Sequence, residues 1–182
     1  MAKSKLDKLI AILLLMCLTI GVYLGVVCVV FFRKKQLPLQ VYSQVNYLNA
    51  YDFLIREYDD KCNSESKEYY KDLIEKDLGM SFYIYKEMQI ECSGKAYPTI
   101  RTIVIDDDVT GYDYCMVLAH EIMHIKLFIK QEDYVCYETF KYLYESEELH
   151  NVGVWYALRQ LNGYYSREYN ISGHIVNYLT KN

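Results

Sequence analysis

The stretch VLAHEIMHIKL, Val117–Leu127, is apolar on every side of the helix it would form except at His120, Glu121, His124 and Lys126. A helix that is apolar all round belongs in a core, so any fold of this chain has to be built around this segment. Burying two imidazoles and a carboxylate there is costly unless each finds a strong partner. His120 and His124 are four residues apart and stand one above the other on one helical face. Two imidazole nitrogens so placed can chelate one tetrahedral metal ion, and zinc, one ion per chain, is the metal expected for the H-E-x-x-H pattern. Glu121 lies beside them, placed to take a proton from a water attacking a carbonyl and to deliver it to the leaving amine. The polar trio therefore reads as a hydrolytic metal centre, with His120 and His124 as ligands and Glu121 as general base.

Catalytic zinc takes three protein ligands. An extended motif with a third histidine is excluded, because Lys130 stands at that place and Leu127 replaces the glycine it needs. The remaining choice is a carboxylate from a following helix folded back on the first. The segment ETFKYLYESEELHN offers Glu138, Glu145, Glu147 and Glu148. Glu147 has Asn151 four positions later on the same helical face, so Glu147 is the expected ligand and Asn151 the expected support of a ligand imidazole. Glu148 and then Glu145 stand in reserve. His174 in the last helix, or Tyr164 or Tyr165, can donate to a tetrahedral oxyanion.

A second segment, Leu9–Phe32, runs for 24 residues without a charge. As a helix it would be about 36 Å long, enough to cross a bilayer core, and no small-residue cleavage site follows it. The expectation is a retained single-pass membrane anchor, with the lipid bilayer as a partner. Lys3, Lys5 and Lys8 flank one end and Arg33, Lys34 and Lys35 the other, so the charge rule for orientation does not choose a side. The formal net charge is -4, with no basic patch beyond the ends of this run, which argues against a nucleic-acid role. Cys62, Cys92, Cys115 and Cys136 show no CxxC spacing or dense framework.

Periodicity organises the rest. Val41, Val45, Leu48, Tyr51, Ile55 and Tyr58 recur at helical steps. Ser66 caps a second helix that ends at Leu78 before Gly79. SFYIYKE (Ser81–Glu87) and TIRTIVI (Thr99–Ile105) read as strands and ECSGKAYP as a turn. The motif helix follows from Tyr114 to about Lys130, with Asp113 as its cap. A helical region from about Glu132 to Leu161, kinked near Ser146, and a last helix over about Arg167–Thr180 complete the chain. The fold class expected is α+β: a basic tail (1–8), a transmembrane helix (9–32), a juxtamembrane helical linker (33–65) and a small zincin-like domain (66–182).

TIRTIVIDDD, then YCMVLAHEIMH, then an acidic stretch entering ESEELHNVGVWYALRQL, resembles the ImmA/IrrE family of zinc metallo-endopeptidases over about Lys67–Leu161. The resemblance implies a compact zincin-like fold with a small sheet beside the H-E-x-x-H helix, a glutamate helix, and endoproteolysis of a protein or peptide substrate. It also leans the domain toward the cytoplasmic side. The chain departs from the family in VGVWYALRQLNG, where small and aromatic residues usually follow the start of the glutamate helix, and in its apolar run. The function expected is a membrane-anchored zinc endopeptidase acting near the bilayer, with substrate extended along the outer strand of the sheet. A second reading keeps the core without the chemistry, as a non-catalytic membrane-anchored accessory or binding protein.

Overall fold

A computed structural model of the chain describes Met16, Thr19, Ile20 and residues 44–59, 65–87, 92–162 and 171–181. Among these, the order is helix α1 (Gln44–Glu57), helix α2 (Lys67–Leu78), strand β1 (Tyr83–Glu87), strand β2 (Gly94–Tyr97), a 3-10 turn (Pro98–Ile100), strand β3 (Thr102–Asp106), and helices α3 (Gly111–Leu127), α4 (Glu132–Glu145), α5 (His150–Leu161) and α6 (Ser172–Lys181). The chain divides into two compact units, Met1–Lys34 and Lys35–Asn182. In the first, Met16, Thr19 and Ile20 are helical. The second, mostly helical with one small sheet, contains every element named here.

No helix among the described residues is long and apolar enough to cross a membrane. This corrects the transmembrane helix and the single-pass membrane location expected from Leu9–Phe32. That run lies outside the described residues apart from Met16, Thr19 and Ile20. An uncharged run is only a candidate for a span, because crossing requires one unbroken helix of about 20 residues. Helix α1, which comes after it, has 14 residues and is about 21 Å long, short of a bilayer core.

Helix α1 packs on α5 and α6 through buried Ala50 and Leu54, flanked by Tyr47, Tyr51 and Tyr58. The helical period is the expected one but its phase is rotated, leaving Leu48 and Ile55 exposed. Tyrosines take the inner face because their rings pack while their hydroxyls find acceptors; that of Tyr47 donates to the Leu161 carbonyl. Helix α2 begins where Ser66 accepts from the Tyr69 amide at 3.1 Å. It ends at Gly79, whose φ of 60 is the left-handed conformation that closes a helix without a Cβ penalty.

The sheet has the order β1-β3-β2, with β1 parallel and β2 antiparallel to β3. β3 is therefore central, with Ile103 and Ile105 buried beneath it, and β2 is an edge. Helix α3 packs against α2, α4, α5, β2 and β3, the surroundings its all-round apolar character demands. Its cap position is Thr110; Asp113 instead accepts from Trp155 and Arg159 of α5. The region expected to be one kinked helix is two, α4 and α5, broken where Ser146 Oγ accepts from the Leu149 amide at 3.3 Å. Helix α5 then lies so close to the end of α4 that a Cβ on Gly153 would stand 2.4 Å from the Tyr144 backbone nitrogen.

Candidate metal centre

Helix α3 delivers His120, Glu121 and His124 to its last turns, and Phe128 stops it in a left-handed conformation, φ 55 and ψ 42. The chain reverses at once, and the first residue of α4 is Glu132. Glu132 Oε2 lies 3.0 Å from His120 Nε2 and 3.2 Å from His124 Nε2, and the two nitrogens are 3.1 Å apart. Three donors on one tetrahedral ion of zinc size would be separated by about 3.3–3.4 Å. The triangle in the structure is within a few tenths of an ångström of that. His120, His124 and Glu132 form a group that can bind a metal ion.

The structure does not bring the expected ligand Glu147 to this group. Glu147 and its reserve Glu148 are exposed in the turn after α4, and a 14-residue helix puts that turn roughly 20 Å from Glu132. Glu145 accepts from the Tyr178 hydroxyl at 2.7 Å. Asn151 is engaged elsewhere: its side-chain oxygen accepts from the Asp59 amide at 2.9 Å, and its amide donates to the Asp59 carbonyl and the Tyr112 hydroxyl. It ties the end of α1 to α5 and supports no imidazole. His174 is buried in the first turn of α6 with its ring 5.6 Å from that of Tyr137. Tyr164 and Tyr165 lie outside the described residues.

The proton positions follow from the partners. A carbonyl only accepts, so the 2.8 Å contact between His124 Nδ1 and the Ile129 carbonyl places a proton on that nitrogen. His120 Nε2, 3.0 Å from Glu132 Oε2, donates to that carboxylate when the ring is charged. Desolvation opposes charge on His120, but hydrogen bonds to Cys136 and Glu132 outweigh it and lift the imidazole to about 10. Burial likewise works against charge on Glu132, and the two histidines more than compensate, bringing its carboxyl down to about 2. Without a metal the cage is thus an ion pair.

Glu121 is 7% exposed. Burial raises its carboxyl above the usual range, against the opposing pull of His120 and His124. The carboxylate lies beneath β2, where it accepts from the Ala96 amide. The approach of strand to helix is close: a Cβ on Gly94 would stand 2.5 Å from Val117 Cγ1 and 3.0 Å from Glu121 Cγ. The Asp106 amide donates to the Ser93 carbonyl at 3.1 Å, so by the alternation of an antiparallel ladder Gly94 and Ala96 turn their backbone groups away from β3. The outer edge of β2 therefore runs beside Glu121, which takes its Ala96 amide, while the Cys92 thiol donates to the Gly94 carbonyl at 3.0 Å. Gly94, like Glu132, was not expected: glycine, lysine and proline together read as a turn, where the chain forms an edge strand.

Comparison of the chain with protein-family models, with curated proteins and with solved structures finds no match.

Proposed function

We propose that this chain is a zinc-dependent endopeptidase, with zinc held by His120, His124 and Glu132 and with Glu121 as the general base. The observation that carries the reading is the His–His–Glu triangle of 3.0–3.2 Å edges with a separate buried carboxylate beside it. Structural zinc sites use four protein ligands, whereas catalytic ones use three and leave a position open. A site that only held the fold together would have no use for Glu121.

Bound zinc supplies polarisation of the scissile carbonyl and a lower pKa for the attacking water. The chain's own groups do the rest. An extended peptide pairs with the outward Gly94 amide and Ala96 carbonyl along the β2 edge, the Ala96 amide and the Gly94 carbonyl being engaged by Glu121 and by the Cys92 thiol. That docking brings a peptide bond over Glu121, whose carboxylate takes the proton of the attacking water and returns it to the leaving nitrogen. Burial raises the basicity of Glu121 toward what this transfer needs, against the opposing hydrogen bond from the Ala96 amide. The resemblance of LAHEIMH to the ImmA/IrrE metallo-endopeptidases supports the same reaction class.

The test pairs zinc content with hydrolysis of a mixed peptide pool read by mass spectrometry. Wild type is expected to bind about one zinc and to cut internal bonds. Glu121→Gln is expected to keep the zinc and to lose roughly 10²–10⁴ in rate. Zinc-loaded Glu121→Gln with wild-type turnover would sink the proposal, and so would zinc-loaded wild type that cuts nothing in the pool.

A further inference from the structure

The two ligand imidazoles are held from behind by different atoms. His124 Nδ1 donates to a backbone carbonyl at 2.8 Å, while His120 Nδ1 lies 3.8 Å from Cys136 Sγ. Cys136 is buried on α4, four residues after Glu132. Glu132 and Cys136 therefore share a face of α4 at the same spacing that His120 and His124 share on α3, and the two pairs meet across the helix hairpin. One member of the α4 pair engages the front nitrogen of His120 and the other the back.

Outer partners of metal-bound imidazoles are as a rule carboxylates, carbonyls or waters. A thiol in that place needs a reason, and proton placement supplies one. For Nε2 of His120 to face a metal it must present a lone pair, so the ring proton sits on Nδ1 and the sulfur accepts it. In the metal-free cage Nε2 also carries a proton, and the bond from Nδ1 to sulfur is unchanged.

We propose that Cys136 is a positioning residue of the metal centre, its sulfur accepting the Nδ1–H of His120 and so fixing the ring with Nε2 toward His124 and Glu132. The proposal rests on the reading of those three residues as a metal site. Sulfur is a weak acceptor, so His120 is the less firmly held of the two imidazoles, and its hold depends on an atom that core packing alone would let any small apolar residue replace.

The experiment is a titration of zinc into the full chain against a competing chromophoric chelator, for wild type, Cys136→Ala and Cys136→Asn. The asparagine oxygen reaches further from Cβ than sulfur does and can close the gap to Nδ1 without adding charge. Cys136→Ala is expected to bind zinc roughly 10–100-fold more weakly, the usual loss when an outer partner of a ligand is removed, and Cys136→Asn to recover most of it. A purely structural role predicts the reverse order, because a buried amide is a worse core residue than alanine. Nitrogen-15 spectra of the zinc-loaded wild type give a second readout that needs no variant: the His120 Nδ1–H is expected to exchange slowly with solvent. Equal zinc affinity in wild type and Cys136→Ala, no recovery in a folded Cys136→Asn, or a fast-exchanging Nδ1–H would each overturn the role of Cys136. Wild type that binds no zinc would instead bring down the metal-site reading itself, and this inference with it.

Discussion

His120 carries the proton that a metal ion has to displace. Its imidazole is held at about 10 in the metal-free cage, above the ordinary 6.5, so at neutral pH the ring is charged and binding expels one proton. Affinity should therefore rise about tenfold per pH unit on the way up to about 10 and level off beyond it. Calorimetric zinc titrations at pH 8 in two buffers of different ionisation heat should count about one proton released; none released would contradict this placement of the proton. The carboxylate that pairs with it is Glu132, not Glu147. Glu132→Ala should lose most zinc at micromolar concentrations while Glu147→Ala keeps wild-type affinity, both read by the same competition with a chelator. The reverse pattern would return the ligand role to the distant turn.

At the scale of elements, the relation of β2 to α3 decides how Glu121 is aimed. A methyl group at Gly94 meets Val117 first, at 2.5 Å, and then the Glu121 side chain. Gly94→Ala should leave zinc content unchanged and lower kcat, by roughly 10² if the base moves by about 1 Å. Adding Val117→Ala should restore part of it, and steady-state kinetics with zinc analysis on each variant would decide. The H-E-x-x-H helix was legible from residues because its chemistry is local: period, burial and ligand spacing all lie within one segment. The caps of α2 were legible for the same reason, since Ser66 and Gly79 act on their own turn. Glu132 was not, because its role comes from a chain reversal at Phe128, and no turn residue such as glycine announces a reversal there. β2 was missed because an edge strand is made by its partner: GKAY has little β character of its own and exists as a strand through pairing with β3. The phase of α1 was lost because six apolar residues at helical spacing fit two neighbouring faces, and only the contacts with α5 and α6 choose between them.

For the whole molecule, the cage links metal, proton and stability. The folded pKa of His120 lies above its unfolded value of 6.5, so its contribution is complete below about 6.5 and fades as pH climbs toward about 10. That of Glu132 lies below 4.5, so its contribution is complete above about 4.5 and fades as pH falls toward about 2. The two share one interaction, that of His120 with Glu132. The Tm advantage of metal-free wild type over Glu132→Gln should therefore be greatest between about pH 4.5 and 6.5 and shrink on either side. Thermal melts in a chelator across that range would check it, and an advantage that grew toward pH 10 would contradict it. The turn at Phe128 has one more consequence. It confines the three residues of the cage to positions 120–132, a window of thirteen. Closing so short a loop is fast and entropically cheap. The cage can therefore assemble from a single helical hairpin before α5 and α6 have been synthesised, and an ion captured there would template the docking of those two helices. The same shortness means that, as a cross-link, the ion takes little freedom from the unfolded chain; its influence falls on the order in which the molecule folds.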